Sequence, residues 1–366
     1  MSFEVDVLGV GQESKSGDAI AIRYGDFSQR ESFRVIVIDG GFKESGEEVV
    51  NHVKRWYGTD RVDLQILTHP DADHVNGAHV VMENMNVRGL WMHLPWNHAA
   101  GNRAYFESRV HGGITNAKLR AALEGAEDLE KLARKKGIPI VEPFAGLRTT
   151  DLKLTVLGPS ESYYNELVQE FLEEKEAAAL AYGGILEQIL ASARKVAKWI
   201  SETWDADTLT EPEADAVSPQ NNSSVALLAC LDNKFFLFTG DAGVPALTLA
   251  AIYGEGLGMN FPRDLAYFQS PHHGSKRNVG PTIVNRLIGP IVTEGTPEKK
   301  KAFISAAKEG APKHPSRRVV NALIRRAARV TVTRGSTHCF SNDAPSREGW
   351  TAVTAEKFLP EYEEEE

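Results

Sequence analysis

Cysteine is nearly absent from this sequence of 366 residues, which holds only Cys230 and Cys339, far apart in the chain. Two isolated cysteines exclude a disulfide framework and a cysteine-based zinc site, so we expect a reducing compartment. Long apolar runs are also missing, since no stretch approaches the roughly 18–20 residues that a membrane span needs. The opening MSFEVDVLGVGQ lacks a basic region followed by an apolar one, which predicts a first strand and not a signal peptide. We therefore predict a cytoplasmic protein without a membrane partner.

Net charge is negative, −9 at pH 7, but it is unevenly distributed. The segment 299–335 carries eleven lysines and arginines against one acid, Glu309, so this segment is +10 and the remainder is −19. Such polarisation is typical of a face that binds a polyanion, although a solvated helix surface is the plainer interpretation. Four members of the segment are the candidate nucleic-acid-binding residues: Lys313, Arg317, Arg318 and Arg325.

The apolar pattern predicts a layered α/β protein. Alternating, β-branched stretches at 3–9, 19–24 and 34–38 predict a meander of strands, and 44–58 predicts an amphipathic helix. Strands and helices alternate beyond this point, as in layered architectures. The further strands are predicted at 62–67, 89–95, 152–159, 224–231, 234–241, 265–271 and 329–335, and the further helices at 76–85, 115–136 and 244–252.

Strong helix formers dominate residues 162–204, with apolar spacing suited to two helices broken near Gly183 and Gly184. The stretch 205–220 is acidic and contains proline, which predicts a loop. We therefore predict a single domain over 1–360 that contains a helical insertion at 160–219, followed by a disordered acidic tail at 361–366. The insertion is interpreted either as a plain structural cap or as a lid or contact surface for a second copy or a partner protein.

The stretch THPDADH, residues 68–74, places two histidines and two aspartates in six positions directly after a predicted buried strand. Polar groups also follow three other predicted strands, namely Asp39, Asp241 and the pair His272–His273. Each of them alone is explained as well by a turn or a surface, but strand ends in a layered α/β fold converge on one edge. Imidazole suits zinc, manganese or iron, and added carboxylates favour Mn²⁺ or Mg²⁺. The pattern therefore predicts a metal site.

His-x-Asp-x-Asp-His after a hydrophobic strand resembles the signature of the metallo-β-lactamase superfamily, which usually reads His-x-His-x-Asp-His. Aspartate in place of the second histidine is typical of the hydrolase domain of ComEC-type DNA-uptake proteins and their free-standing relatives. Other segments agree in order: LGVGQESKSGDAIAI with VIVIDGG, NNSSVALLACLDNKFFLFTGD, SPHHGS and KHPSRRVVNALIRRAARVTVTRG. The resemblance covers most of the chain except 100–145 and 160–219.

The resemblance implies an α/β fold, an αββα sandwich, with two divalent metal ions at its edge. The implied ligands are His69 and Asp71 for the first ion, Asp73, His74 and His272 for the second, and Asp241 as the bridge. His272 is preferred to His273 because it follows the strand directly, and Asp39 would orient the ligands. The superfamily's third histidine has no match here, which leaves its place to Asn221, Asn222 or solvent.

Two cations about 3.5–4 Å apart activate water and stabilise charge on the attacked group, so no serine or cysteine nucleophile is needed. The candidates for proton transfer to the leaving group are Asp73, His273 and His314. The carboxylate-rich ligands and the basic segment favour a metal-dependent nuclease or phosphodiesterase that acts on nucleic acid or a nucleotide with Mn²⁺ or Zn²⁺, Mg²⁺ being a further option. Two alternatives stay open: a lactone, lactam or thioester hydrolase with an apolar pocket, and a non-catalytic binding or scaffold protein with a degenerate metal site.

Overall fold

Two β-sheets packed face to face, with helices on both outer faces, make up the protein in a computed structural model that describes residues 1–11, 15–29, 31–99, 103, 117–173, 198–310 and 314–364. The strands are β1 Ser2–Val7, β2 Ala19–Gly25, β3 Phe33–Asp39, β4 Arg61–Val62, β5 Leu64–Ile66, β6 Asn86–Val87, β7 Leu90–Trp91, β8 Ile140–Val141, β9 Leu154–Gly158, β10 Lys198–Ser201, β11 Ala226–Leu231, β12 Lys234–Phe238, β13 Leu265–Gln269, β14 Lys300–Ile304, β15 Ala328–Val332, β16 His338–Asn342 and β17 Glu361–Glu364.

Short and long helices connect these strands. They are α1 Lys43–His52, continued by a π-helical turn Val53–Tyr57, α2 Ala72–Asn84, α3 Pro95–His98, α4 Ala117–Lys135, α5 Glu161–Glu173, α6 Pro219–Asn222, α7 Val244–Gly256, α8 Phe261–Asp264, α9 Pro281–Leu287 and α10 Arg317–Ile324. No helix in the described part of the chain combines the length and the apolar character that crossing a membrane would require.

The first sheet has the strand order β16-β1-β2-β3-β5-β7-β8, and the second has the order β15-β14-β13-β12-β11-β9. Antiparallel pairing at one end of each sheet gives way to parallel pairing, from β3 to β8 in the first and from β12 to β15 in the second. In a parallel pair the strand ends point the same way, so the loops after β3, β5, β12 and β13 emerge at one edge.

The core lies in three layers. Aromatic and branched side chains of both sheets, such as Phe3, Ile20 and Phe236, fill the space between them. A second cluster packs α1, α2 and α4 on the outer face of the first sheet, and a third packs α7, α9 and α10 on the second. The predicted αββα sandwich is thereby confirmed.

The insertion and the tail differ from prediction. The structure confirms a helix at Glu161–Glu173, and the predicted break at Gly183–Gly184 lies outside the described residues. Residues 198–201, predicted to be helical, instead form β10, which pairs antiparallel with β17 at 361–364. The prediction of a disordered tail is therefore wrong for 361–364, because backbone pairing and the burial of Tyr362 hold this strand in place.

Candidate metal centre

The loops after four strands bring their polar side chains together at the predicted edge. Helix α2 begins at Ala72, earlier than predicted, so Asp73 and His74 lie in its first turn and His69 just before it. Both His272 and His273 have positive φ, +47° and +56°, in the sharp turn after β13. This conformation is uncommon for residues other than glycine, and it directs the two neighbouring rings toward the same cluster.

Asp241 is the centre of the arrangement. Its Oδ2 lies 3.6 Å from Nε2 of His69, 3.7 Å from Nε2 of His74 and 3.5 Å from Nδ1 of His272. The carboxylate is buried, and its Oδ1 has no hydrogen-bond partner. Burial alone would raise the pKa of Asp241, but the three histidines outweigh this effect and hold the pKa well below the ordinary value.

A second group of donors lies on the other side of His74. Oδ2 of Asp73 is 3.6 Å from Nε2 of His273 and 4.0 Å from Nε2 of His74. The ligand atoms of these three residues lie within 4.8 Å of one another, as do those of His69, His74 and Asp241. His74 belongs to both of these triplets and to a third with Asp18 and Asp39. Adjoining triplets with a common member suit a pair of ions that share ligands.

Each ring is oriented by a hydrogen bond at Nδ1. His74 donates to Oδ2 of Asp39 at 2.8 Å, and His273 donates to the carbonyl oxygen of Ser305 at 2.9 Å. The hydroxyl of Thr68 donates to Asp39 and so accepts from Nδ1 of His69 at 3.1 Å. With Nδ1 protonated, Nε2 of each ring keeps its lone pair for a metal ion.

These donors fit a divalent cation. Nε2 of His69, His74 and His273 is buried without a hydrogen-bond partner, although buried polar atoms are normally paired. Several carboxylates are buried beside them, which is costly unless positive charge is present. The excess of negative charge also affects the pKa of His273. Burial would lower this pKa, but Asp73, Asp241 and Asp18 raise it to about 9. A cation among these atoms would supply the missing partner.

Asp18 is a site residue that the sequence analysis missed. Its Oδ2 accepts a hydrogen bond from the side chain of Gln269, and its buried Oδ1 lies 4.0 Å from Nδ1 of His273 without a hydrogen bond. Burial raises the pKa of Asp18 to about 6, against the opposing effect of His273 and His74. Its signal in the sequence is the stretch LGVGQESKSGDAIAI, where Asp18 is part of the pattern that carries the resemblance.

Two implied ligands are placed differently from expectation. Oδ2 of Asp71 accepts from Nζ of Lys118 at 2.8 Å, and Asp71 is in none of the donor triplets among the described residues. Nδ1 of His272 meets the side-chain amide of Asn221 at 2.8 Å, whereas His273 is part of a triplet. The geometry thus favours His273 over the preferred His272 as the ligand beside Asp73.

A polar cavity of 390 Å³ opens beside the cluster. Its lining includes the rings of His272 and His314, whose centroids lie 5.9 Å apart in a stacked arrangement. The remaining polar groups of the lining are hydroxyls, amides, three basic side chains and one carboxylate: Ser218, Ser275, Ser316, Asn221, Asn278, Lys118, Lys276, Arg277 and Glu364. Asn222, the other residue considered for the place of the third histidine, instead accepts a hydrogen bond from the backbone of Gly243.

The structure describes three of the four candidate nucleic-acid-binding residues, and each of the three is paired with an acid. Arg325 is fully buried, where it pairs with Glu202 and donates to backbone carbonyls. Arg317 donates to Glu356 at 2.8 Å and Arg318 to Glu364 at 2.7 Å, while Lys313 lies outside the described residues. Acids from elsewhere in the chain therefore neutralise these three arginines, which are not part of a free basic face.

A comparison with curated proteins finds a match over most of the chain. The sequence is 30% identical over 348 residues to ComE operon protein 3 of Bacillus subtilis (strain 168), a match that covers 90% of this chain and 32% of that protein. The chain thus spans about a third of the length of this curated relative. No protein-family model matches the sequence.

Solved structures of similar fold share little sequence with the chain. The metallo-β-lactamase fold protein YhfI from Bacillus subtilis is 10% identical with a TM-score of 0.46, over 93% of this chain and 100% of that one. A diphosphatase from the PhnP family is 9% identical with a TM-score of 0.36, over 93% and 98%. The architecture is the αββα sandwich of the metallo-β-lactamase fold, with a cluster of candidate ligands at its edge. Over most of its length the sequence is similar to ComE operon protein 3.

Proposed function

We propose that the protein is a metal-dependent hydrolase of phosphodiesters, either in nucleic acid or in a smaller nucleotide. The observation that carries this proposal is the carboxylate-rich cluster beside a cavity bordered by Lys118, Lys276 and Arg277. Carboxylates suit hard divalent cations, and cationic side chains with hydroxyl donors suit a phosphate. A lactone, lactam or thioester hydrolase would need an apolar pocket, which this polar lining does not provide.

In this proposal two of the donor triplets would hold divalent cations, Mn²⁺, Zn²⁺ or Mg²⁺. Asp73, His74 and His273 would hold one ion, His69 would hold the other, and Asp241 would lie between them. Such a pair of cations supplies an activated water and neutralises charge on the attacked phosphoryl group. Where the usual signature has its second histidine, this chain has Asp71, which pairs with Lys118. This is consistent with a centre in which carboxylates from other strand ends supply much of the metal coordination.

The chain's own residues prepare this centre. Asp39 and the carbonyl of Ser305 hold the rings of His74 and His273 so that Nε2 of each points into the cluster. The side chain of Asn221 contacts His272 at the cavity wall. His314 lies in the same wall, which makes it our candidate for protonating the leaving oxygen, while Asp73 and His273 serve as ligands.

The test begins with metal-free protein reloaded with Mn²⁺, Zn²⁺ or Mg²⁺. Hydrolysis is measured with bis(p-nitrophenyl) phosphate, single- and double-stranded DNA, RNA and cyclic nucleotides, and metal content by elemental analysis. We expect Asp241→Asn to lower the rate by about 10³-fold, equivalent to roughly 4 kcal/mol, and to reduce bound metal.

The matched control is Asp63→Asn, which changes a partly buried aspartate that pairs with Arg61 and Arg34 instead of histidines. This variant should keep its metal and its activity when folded. Failure to hydrolyse any of these substrates, with wild type and Asp241→Asn indistinguishable in metal content, would overturn the proposal in favour of a binding or scaffold protein.

A further inference from the structure

The acidic strand β17 places one carboxylate inside the wall of the polar cavity. Glu364 is almost fully buried there, and it is the one acidic side chain among the described residues that line this cavity. Its neighbours Glu361 and Glu363 on the same strand are exposed. The strand thus directs a single carboxylate toward the space beside the metal centre.

Three side chains hold this carboxylate. Nε of Arg318 donates to Oε2 at 2.7 Å, Nζ of Lys276 lies 3.5 Å from the same oxygen, and the hydroxyl of Ser316 donates to Oε1. A guanidinium, an ammonium and a hydroxyl around one anion are also the donor set with which proteins bind a phosphate.

These donors are connected to the metal centre through the chain. Lys276 follows the turn His272–Gly274, and Ser316 follows His314 after one residue. The same cavity is lined by Lys276, Ser316, His272 and His314. The carboxylate held by Arg318, Lys276 and Ser316 therefore lies in the wall of the cavity that opens beside the candidate ligand cluster.

The carboxylate is one of several contacts that keep β17 in place. The strand pairs with β10 through its backbone from Glu361 to Glu364, and Tyr362 is buried beside Thr208. The sequence EYEEEE at 361–366 is also a short polyanion in its own right. A substrate phosphate and Glu364 would compete for the same positive charge.

We infer that Ser316, Arg318 and Lys276 form a phosphate-binding subsite next to the metal centre, and that Glu364 of the acidic strand occupies it as an internal competitor of the substrate. The substrate side of this inference rests on the proposed phosphodiester function. Occupation of the subsite by an inorganic anion does not, because it requires neither metal nor hydrolysis.

Phosphate binding by metal-free protein tests the subsite directly. Calorimetric titration with inorganic phosphate should show that Glu364→Gln binds phosphate on the order of tenfold more tightly than wild type, because a competing charge is lost. Glu363→Gln is the matched control, since it makes the same change on the same strand at an exposed position, and it should stay within about twofold of wild type. Adding Arg318→Gln to Glu364→Gln should abolish the gain.

Equal phosphate affinity in folded Glu364→Gln and Glu363→Gln would overturn the inference. A measurement on the wild type covers the case in which Glu364→Gln fails to fold. Saturating phosphate should displace the carboxylate and accelerate amide hydrogen exchange in 361–364 and 198–201. Unchanged or slower exchange would contradict the inference.

Kinetics then separate this inference from the proposed function. If the protein hydrolyses phosphodiesters, Glu364→Gln should lower KM with kcat unchanged, whereas a purely structural role would leave KM unaltered. Hydrolysis without any change in phosphate affinity would support the function and reject the subsite. Tighter phosphate binding without hydrolysis would support the subsite and reject the function.

Discussion

Two regions of this molecule are dense in ionisable side chains, and they differ in how the buried charge is compensated. In the metal centre, Nε2 of His69, His74 and His273 is buried without a partner. In the arginine-rich segment around α10, Arg325 and Arg326 are buried as well, but acids from elsewhere in the chain pair with them. Density of charge therefore does not identify a ligand site by itself. Convergent buried atoms that lack partners do, because folding would otherwise leave their desolvation uncompensated.

The largest effect that we predict for these two regions is on the free energy of unfolding. Arg325→Met leaves Glu202 buried without its guanidinium partner, which should lower the free energy of unfolding by about 3–5 kcal/mol. Urea denaturation measures this change. Arg329→Met is the control, since Arg329 pairs with Glu298 at the surface, and it should cost about 1 kcal/mol or less.

The same two variants can also contradict the distinction between the two regions. If Arg325→Met kept wild-type stability but lost affinity for oligonucleotide, the arginine would be a substrate-binding residue as its sequence context predicted, and the distinction between paired and unpaired clusters would fail.

A smaller effect concerns the residues that orient the ligands. Asp39→Asn keeps the shape of the side chain but replaces one of the oxygens that accept from Thr68 and His74, so it should weaken metal binding about 10–100-fold. Competition with a chelator measures the affinity. Asp232→Asn is a matched control because Asp232, like Asp39, has a positive φ, +50° against +55°. Wild-type affinity in Asp39→Asn would show that Asp39 has only a structural role.

His93 tests whether a buried nitrogen without a partner is sufficient to mark a ligand site. Both of its ring nitrogens lack partners, but the ring stacks on Tyr164 at 4.2 Å and is in none of the donor triplets of the described residues. Burial, with a smaller effect of His98, lowers the pKa of His93 to about 3. We therefore expect His93 to be a packing residue that makes the stability of the fold depend on pH and that binds no metal.

The sign of the pH effect follows from that shift. The unfolded chain binds a proton at His93 near pH 6.5 and the folded chain only near pH 3, so this contribution to stability is complete above pH 6.5 and is lost as the pH falls. Between pH 6.5 and pH 5 the loss should be about 2 kcal/mol. His93→Phe should flatten the dependence of unfolding free energy on pH. An equally steep dependence in this variant would show that His93 is not its source.

Much of the fold was predictable because it depends on local pattern. Alternating apolar residues predicted β1, β2 and β3, and the hairpin of β11 and β12 lies where the sequence placed it. The start of α2 was missed because Asp71 was interpreted as part of a turn, although it occupies the position that precedes the first helical residue. Helix and turn compete closely at such a position, and long-range packing decides between them.

By itself, the sequence determined which side chains follow which strands, and the periodicity of the strands was enough to expect His69, Asp73, Asp241 and the His272–His273 pair at one edge. Tertiary structure alone decided which of their atoms lack partners. It also decided that Asp18 joins the cluster, that Arg325 is paired with Glu202, and that Glu364 enters the cavity wall. The physical reason is that periodicity is a property of neighbouring residues, whereas the partner of a buried charge comes from a distant part of the chain, as with Arg325 and Glu202, 123 positions apart.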